Sequence, residues 1–444
     1  MAKHNIEKYS SGYALLKFFA RLWHNWVFYR RVIVMGRENV DHDCHNIFAP
    51  NHQNALMDAL AVVCTDTKQH IYLARSDIYK KKFIASILYF LKILPVYRIR
   101  DGFDNLRLND EIFLKTVEVI KHKNGIVILP EGNHLGRRRL RQLKKGICRI
   151  AFSAEEVNDF NLKIKIIPVG LEYSHYFRFR QVLTVVYGKP IEVSEYTEMY
   201  KVNPARAQND LRDRLSEEMK KLMVHIETEE DYEAVNELRN IVNGRYSDRI
   251  KYPKIFRDRV LVDRINKLAV NNEDLYRELC DKSLFVKNSA LDLKISYRHL
   301  EKKKHSLIPL LGASVLLLLS FPLFVYGMAF NYIFIEVPKM PLKNIADQQF
   351  HSSVRYVVSL LIAFIFMPLY AVLAFILLKP WYLALAVLLS IPVSGFIAWN
   401  WAMLFRRVEG GFRIRRLTSS GNGKFLDLKK AHTRLMEIVS SLKS

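Results

Sequence analysis

Three apolar blocks near the C-terminus, at 307–335, 354–378 and 381–404, constrain this chain more than any other feature. Each reaches the roughly 20 apolar residues that a helix needs to cross the hydrocarbon core of a bilayer. Inside that core a segment must satisfy its own backbone, so these blocks are expected to be helices. Lys379-Pro380 leaves room only for a tight turn, so the last two blocks read as a spanning hairpin. The first block is 29 residues long and contains Pro322 and Gly327. It reads either as one tilted helix or as a re-entrant segment that dips in and returns. Lys302, Lys303 and Lys304 precede it, Lys339 and Lys343 follow it, and Arg406, Arg407, Arg413, Arg415 and Arg416 follow the last block. A first block that returns would gather all these cations on one face and leave only Lys379 outside. The excess of Lys and Arg on cytoplasmic loops favours that arrangement. The expected location is therefore integral membrane, with the preceding domain on the cytoplasmic face.

The chain carries 68 Lys and Arg against 44 Asp and Glu, a formal net charge of +24. Such an excess calls for an anionic partner. Spanning-length apolar segments in the same chain favour anionic membrane lipids over nucleic acid, and no nucleic-acid partner is expected. Cys44, Cys64, Cys148 and Cys280 are far apart and form no ligand-like spacing, so they read as free thiols in a reducing compartment, with no metal site.

Residues 1–30 include YALLKFFARLWHNWVF, in which Lys17, Arg21 and His24 recur at steps of four and three. Leu15, Phe18, Phe19, Leu22, Trp23 and Trp26 fall on the other face, giving a basic amphipathic helix suited to a membrane surface. From 31 to 200 short apolar runs (VIVMG, NIFAP, QHIYLAR, GIVILP, KIKIIPVGLEYS and QVLTVVYGKPIEV) alternate with helical spacing. This predicts an α/β domain with a mixed sheet flanked by helices. Dense alternating charge at helical spacing marks 201–305 as a charged helical segment, 306–405 holds the transmembrane region, and 406–444 reads as a basic C-terminal tail.

Within the α/β region a few residues can carry chemistry. His52 stands in the loop where 46–50 meets the next helix, with Asp58 downstream. Positions six apart on one continuous helix face different ways. The pair can therefore meet only if His52 lies in the turn before the helix and folds back over it. A carboxylate there would fix the imidazole tautomer of a general base. Arg98 and Arg100 in PVYRIR alternate, as a strand would need to present both to one phosphate. Glu131 and Gly132 in LPEG follow an apolar strand at the end where α/β folds place ligands. Arg137, Arg138, Arg139, Arg141, Lys144 and Lys145 come next, either as a solvated basic loop or as contacts to a phosphate or donor cofactor.

The order NHxxxxxD, PVYR, LPEG with a basic tail, then IIPVGLEY, between residues 51 and 173, resembles the glycerolipid acyltransferases. That family comprises the glycerol-3-phosphate and lysophosphatidate (1-acylglycerol-3-phosphate) acyltransferases. Five residues between His52 and Asp58, FRFR after the fourth block and a multi-span C-terminal region place it closest to the fungal-type glycerol-3-phosphate/dihydroxyacetone-phosphate enzymes. The resemblance implies an O-acyltransferase of phospholipid biosynthesis. Its catalytic residues would be His52 and Asp58, with Arg98 for the acceptor phosphate, Glu131 and Gly132 for acceptor binding, and Pro168 in the acyl or acceptor pocket. The donor would be a thioester of acyl-carrier protein (acyl-ACP) or of coenzyme A (acyl-CoA), with no bound cofactor, and the acceptor of glycerol-phosphate type. Other lysolipid or amino-acid lipid acceptors, or a non-catalytic lipid-binding scaffold on the same fold, are the alternatives.

Overall fold

A computed structural model describes residues 5–96, 112, 114–244, 253–300 and 306–442. The chain divides into two compact units. The first comprises Met1–His225, Asp248–Arg259 and Asp347–Ser353; the second comprises Ile226–Ser247, Val260–Ala346 and Val354–Ser444.

The first unit is built on one mixed sheet. Its strands are β1 (Tyr29–Met35), β2 (Asn46–Pro50), β3 (Ile71–Arg75), β4 (Ile93–Val96), β5 (Ile126–Val127), β6 (Lys165–Tyr173), β7 (Gln181–Tyr187) and β8 (Ile191–Glu192). The order is β1-β7-β6-β2-β5-β3-β4, with β8 pairing β6. β4, β3, β5, β2 and β6 run parallel to one another, and β7 and β8 run antiparallel to β6. NIFAP forms β2 because a central parallel strand is covered on both faces, and all five of its residues are buried. Pro168 interrupts β6 where the strand exchanges β7 for β8 as its antiparallel partner, a break in the ladder that tolerates a residue without an N–H.

Helices α1 (Ser11–Leu22), α2 (Leu56–Thr65), α3 (Lys82–Phe90), α4 (114–121), α5 (Gly146–Glu156), α6 (Thr197–Val202) and α7 (Pro204–Leu222) belong to this unit. The domain runs past the expected boundary at 200. α7 buries Ala207, Leu211, Leu215 and Met219 in the same core as Ile47 of β2, Ile166 of β6 and Phe152 of α5. α1 presents its faces opposite to those of an ordinary soluble helix. Lys17 is buried, donating to the Lys68 carbonyl (2.5 Å), and His24 just beyond the helix is buried, while Leu15, Phe18, Phe19, Leu22 and Trp26 are exposed. The neighbouring α3, where Phe90 approaches Gly12, exposes Phe83, Ile84, Ile87 and Phe90.

The second unit is helical: α8 (Tyr232–Asn243), most of α9 (Lys254–Asn271), α10 (Glu273–Asp292), α11 (Tyr297–Leu300), α12 (Leu307–Leu319), α13 (Phe321–Glu336), most of α14 (His351–Leu377), α15 (Trp381–Ser419) and α16 (Gly423–Ser441). Among the described residues three segments are long and apolar enough to cross a membrane: Phe321–Asn344, Gln348–Leu377 and Trp381–Ser419. The first apolar block does not double back as the charge pattern favoured. Ser320 is a one-residue joint, and Pro322 sits in the first turn of α13, where a helix accepts proline without reversing. α12 and α13 then follow α15 continuously and antiparallel. Leu310 lies at Gly411, Trp401 donates to the Leu317 carbonyl (3.0 Å), Gly327 faces Ser394, and Asn331 donates to the Ile391 carbonyl (2.9 Å). The expected basic tail is also structured. α15 continues to Ser419, and α16 buries Phe425, Leu428, Leu435 and Ile438, with Arg434 paired to Glu278 of α10 (2.9 Å).

Gly170 on β6 is where α7 closes on the sheet; a Cβ there would stand 2.1 Å from the Leu222 carbonyl oxygen. Backbone cannot yield as a side chain can. Gly170→Ala is therefore expected to destabilise the protein by about 1–3 kcal/mol, read as a lowered thermal midpoint of the full chain in detergent.

Candidate active site

Because β2, β4, β5 and β6 run parallel, their C-terminal ends share one sheet edge. His52 follows β2 by two residues, Glu131 follows β5, and Tyr173 ends β6, so three separate stretches of sequence converge there. β4 ends at Val96 on the same edge; Arg98 and Arg100 lie outside the described residues.

His52 lies in the turn before α2. The turn is closed by Ala55 at φ 45° and ψ −127°, a conformation an L-residue adopts only under constraint. It brings the imidazole back over the first turn of the helix, where His52 Nδ1 is 2.9 Å from Asp58 Oδ2. Asp58 is completely buried. Its Oδ2 also accepts from the Gln53 and Asn54 main-chain N–H groups (2.7 and 2.6 Å), and its Oδ1 accepts from the Tyr173 hydroxyl (2.8 Å). Both oxygens are thus already accepting, Oδ2 from two N–H groups, so the imidazole meets that oxygen as one more donor. Nδ1 must then carry the hydrogen, which leaves the Nε2 lone pair as the base.

The neighbouring amides fasten the loop. Asn51 donates to the Leu171 carbonyl (3.2 Å) and accepts from the Leu171 N–H (2.6 Å), extending the β2–β6 ladder through a side chain. Gln53 donates to the Arg139 carbonyl (3.0 Å), and Asn54 to the Tyr176 carbonyl (3.1 Å).

Glu131 is buried with both oxygens engaged. Oε1 accepts from the His52 main-chain N–H (2.5 Å), Oε2 accepts from the Arg141 N–H (3.0 Å), and the Gln53 side-chain amide reaches both. Burial pushes its carboxyl up to about 7, against the lowering pull of those two main-chain N–H groups. Gly132 turns the chain after it with φ +70° and is exposed. Pro168 lies inside the sheet, level with Ala49, its carbonyl accepting from Gly188 N–H (2.8 Å). In the basic run Arg138 is buried. It pairs with Glu172 (2.6 Å), donates to the Tyr173 carbonyl and covers the Tyr176 ring at 4.9 Å. Arg141, Lys144 and Lys145 are exposed.

The site therefore contains groups the sequence reading did not single out: Gln53, Asn54, Tyr173 and His134. The His134 ring meets His52 edge to face, with centroids 5.3 Å apart. The four-residue run NHQN, in which every side chain is polar at the mouth of an apolar strand, was the available signal for the first two.

Residues 31–172 match the family model described as acyltransferase, so this stretch is an acyltransferase-family domain. Among curated proteins it is similar to two from Saccharomyces cerevisiae. Glycerol-3-phosphate O-acyltransferase 1 is 27% identical over 188 residues, covering 40% of this chain and 24% of that protein. Glycerol-3-phosphate O-acyltransferase 2 is 35% identical over 97 residues, covering 22% and 13%. The matched segments thus span a quarter or less of those relatives' lengths. Among solved structures it is similar to the 1-acyl-sn-glycerophosphate acyltransferase PlsC of Thermotoga maritima, with a TM-score of 0.35, 17% identity, and coverage of 47% of this chain and 78% of that one.

Folding raises the pKa of Glu131 above its ordinary value of 4.5, to about 7. Its stabilising contribution is then fully present below about pH 4.5 and is lost as the pH rises through about 7. Glu131→Gln should flatten the pH dependence of the thermal midpoint across that window. It should also lower kcat more than it raises the acceptor KM, because an amide presents an N–H to one of the two main-chain donors that now bind the carboxylate.

Proposed function

We propose that this chain is a membrane O-acyltransferase that moves a fatty acyl group from acyl-ACP or acyl-CoA to a hydroxyl of a glycerol-phosphate-type acceptor, glycerol-3-phosphate or lysophosphatidate. The observation that carries the reading is the buried Asp58 carboxylate holding His52 with Nε2 as the open base, at the ligand-binding edge of a domain of the acyltransferase family.

In this mechanism Nε2 takes the proton from the acceptor hydroxyl as its oxygen attacks the thioester carbonyl. The tetrahedral intermediate collapses by breaking the carbon–sulfur bond, and the departing thiolate receives the proton from the imidazolium. Asp58 stabilises that imidazolium without taking its proton. No covalent enzyme intermediate is needed. Arg98, with Arg100, binds the acceptor phosphate, and Gly132 and Pro168 belong to the acceptor and acyl subsites by the family resemblance. Glu131, whose oxygens already serve the loop, holds the His52 main chain in place and borders the acceptor. The exposed Arg141, Lys144 and Lys145 suit the acidic surface of a carrier protein or the phosphates of coenzyme A. The outward apolar faces of α1 and α3, with Lys80, Lys81 and Lys82 exposed at the start of α3, form the surface that meets anionic lipid, on the cytoplasmic side of the membrane.

Purified full-length protein supplied with labelled acyl-ACP or acyl-CoA is expected to form an acyl ester on a phosphate-bearing acceptor. His52→Ala should cost at least about a hundredfold in kcat; undiminished activity would reject the mechanism. Arg98→Ala should raise the KM for glycerol-3-phosphate about tenfold or more, the worth of one charge-assisted contact, and leave a phosphate-free acceptor unaffected. Indifference to Arg98 with every acceptor would point to a lipid substrate without phosphate.

A further inference from the structure

The stretch Asp347–Ser353 leads into and begins the membrane-length segment Gln348–Leu377, yet it is part of the first unit. Four of its residues tie it to the active site. His134 lies with Nε2 3.4 Å from Asp347 Oδ2, and its ring meets Phe350 perpendicularly with centroids 4.9 Å apart. At Gly136, in the left-handed region at φ +69°, an added Cβ would stand 3.1 Å from the Gln349 side chain, so the loop backbone is pressed against this stretch. Ser352 is buried and donates to the Tyr176 carbonyl (2.6 Å), the same oxygen that receives Asn54 of the His52 turn.

We propose that Asp347 and Phe350 belong to the active site: they hold His134, and His134 holds the plane of the His52 ring in the orientation from which Nε2 reaches the acceptor hydroxyl. The inference rests on His52 being the base.

One hydrogen bond fixes a point and not a plane. With Nδ1 anchored on Asp58, the imidazole still has freedom to swing about that contact. Its partly exposed face is closed by the His134 ring, edge to face at 5.3 Å and 83°. His134 is itself clamped on its other side by Phe350 and at its Nε2 by Asp347. Burial, and after it the proximity of His52, hold the His134 pKa below its ordinary value, so no second positive charge opposes the imidazolium. His134 is thus a positioning residue, and its carboxylate partner comes from 213 residues away. Misplacing a reacting group by a fraction of its width costs turnover and not affinity.

The test is a kcat and KM comparison on the full-length protein in lipid nanodiscs. His134→Ala is expected to lower kcat about tenfold or more with both KM values within about twofold. His134→Phe, which keeps a ring between His52 and Phe350, should recover most of that loss. Asp347→Ala, an exposed position, should lower kcat several-fold with an unchanged thermal midpoint. A His134→Ala enzyme with normal kcat, a loss confined to KM, or a His134→Phe enzyme no better than His134→Ala would each overturn the proposal. Should His134→Ala lower the thermal midpoint, Asp347→Ala and Phe350→Ala decide it, and normal kcat in both rejects it. Activity in His52→Ala would strike the proposed function instead, so the two failures are distinguishable.

Discussion

The buried carboxylate of Asp58 is the interaction on which the rest of this site depends. Removing such a charge from water costs several kcal/mol even in a relaxed protein interior, and only close, well-directed donors offset it. Four donors do so here, from the His52 ring, two consecutive main-chain amides and Tyr173. Each donor is also a placement. The amides of Gln53 and Asn54 can reach an oxygen in the first turn of α2 only if the chain reverses at Ala55, and that reversal puts the imidazole over the same oxygen. The strain at Ala55, of order 1–3 kcal/mol for a non-glycine residue in such a conformation, is maintained because the carboxylate cannot be satisfied otherwise. Tyr173 adds a link of a different kind, since it joins the helix start to the end of β6 across the sheet edge.

Glu131 complements this arrangement from the adjacent strand. It is as buried as Asp58 but has no imidazole and no hydroxyl on it, only amide donors. Desolvation therefore outweighs the hydrogen bonds, and its pKa rises to about 7. The two carboxylates thus divide the work of a single turn. Asp58 fixes the ring of His52, and Glu131 fixes its backbone. Parallel pairing of β2 with β5 makes this division possible, because it sets the two loops side by side at one edge.

Much of this was legible in the sequence where the determinants are local. The strand, turn and helix around NHQNALMD are written in contiguous residues, and so is the strand-to-loop passage into Glu131. The partners that complete the site were not legible, because they are set by the sheet order. Tyr173 lies 115 residues from Asp58, and nothing in its local pattern distinguishes a hydroxyl aimed at a carboxylate from a core tyrosine. Asp347 follows a segment whose composition speaks only of membrane. The basic run was misleading for a related reason: Arg138 looks like its neighbours in sequence, but β6 supplies Glu172 and it becomes a buried strut. Charge counting also favoured a first apolar block that returns to its own side. Small residues on α15, with Gly411 and Ser394 opposite Leu310 and Gly327, decide that block's path, and such complementarity has no signature in net charge.

α1 ties the catalytic unit to a membrane surface. Lys17 and His24 turn inward onto a carbonyl and a polar side chain, while five large apolar residues of α1 and the turn after it face out, and α3 beside it exposes four more. In water this orientation would be the wrong way round, since the hydrophobic effect would bury the Phe and Trp side chains and expose the Lys. Against a bilayer it is the stable one, with aromatic rings at the headgroup level. Under the proposed function the product of acyl transfer is a lipid, which must leave into the membrane. A catalytic unit whose own helices prefer the interface shortens that transfer, and the outward faces of α1 and α3 therefore belong to the same functional logic as the His52–Asp58 pair.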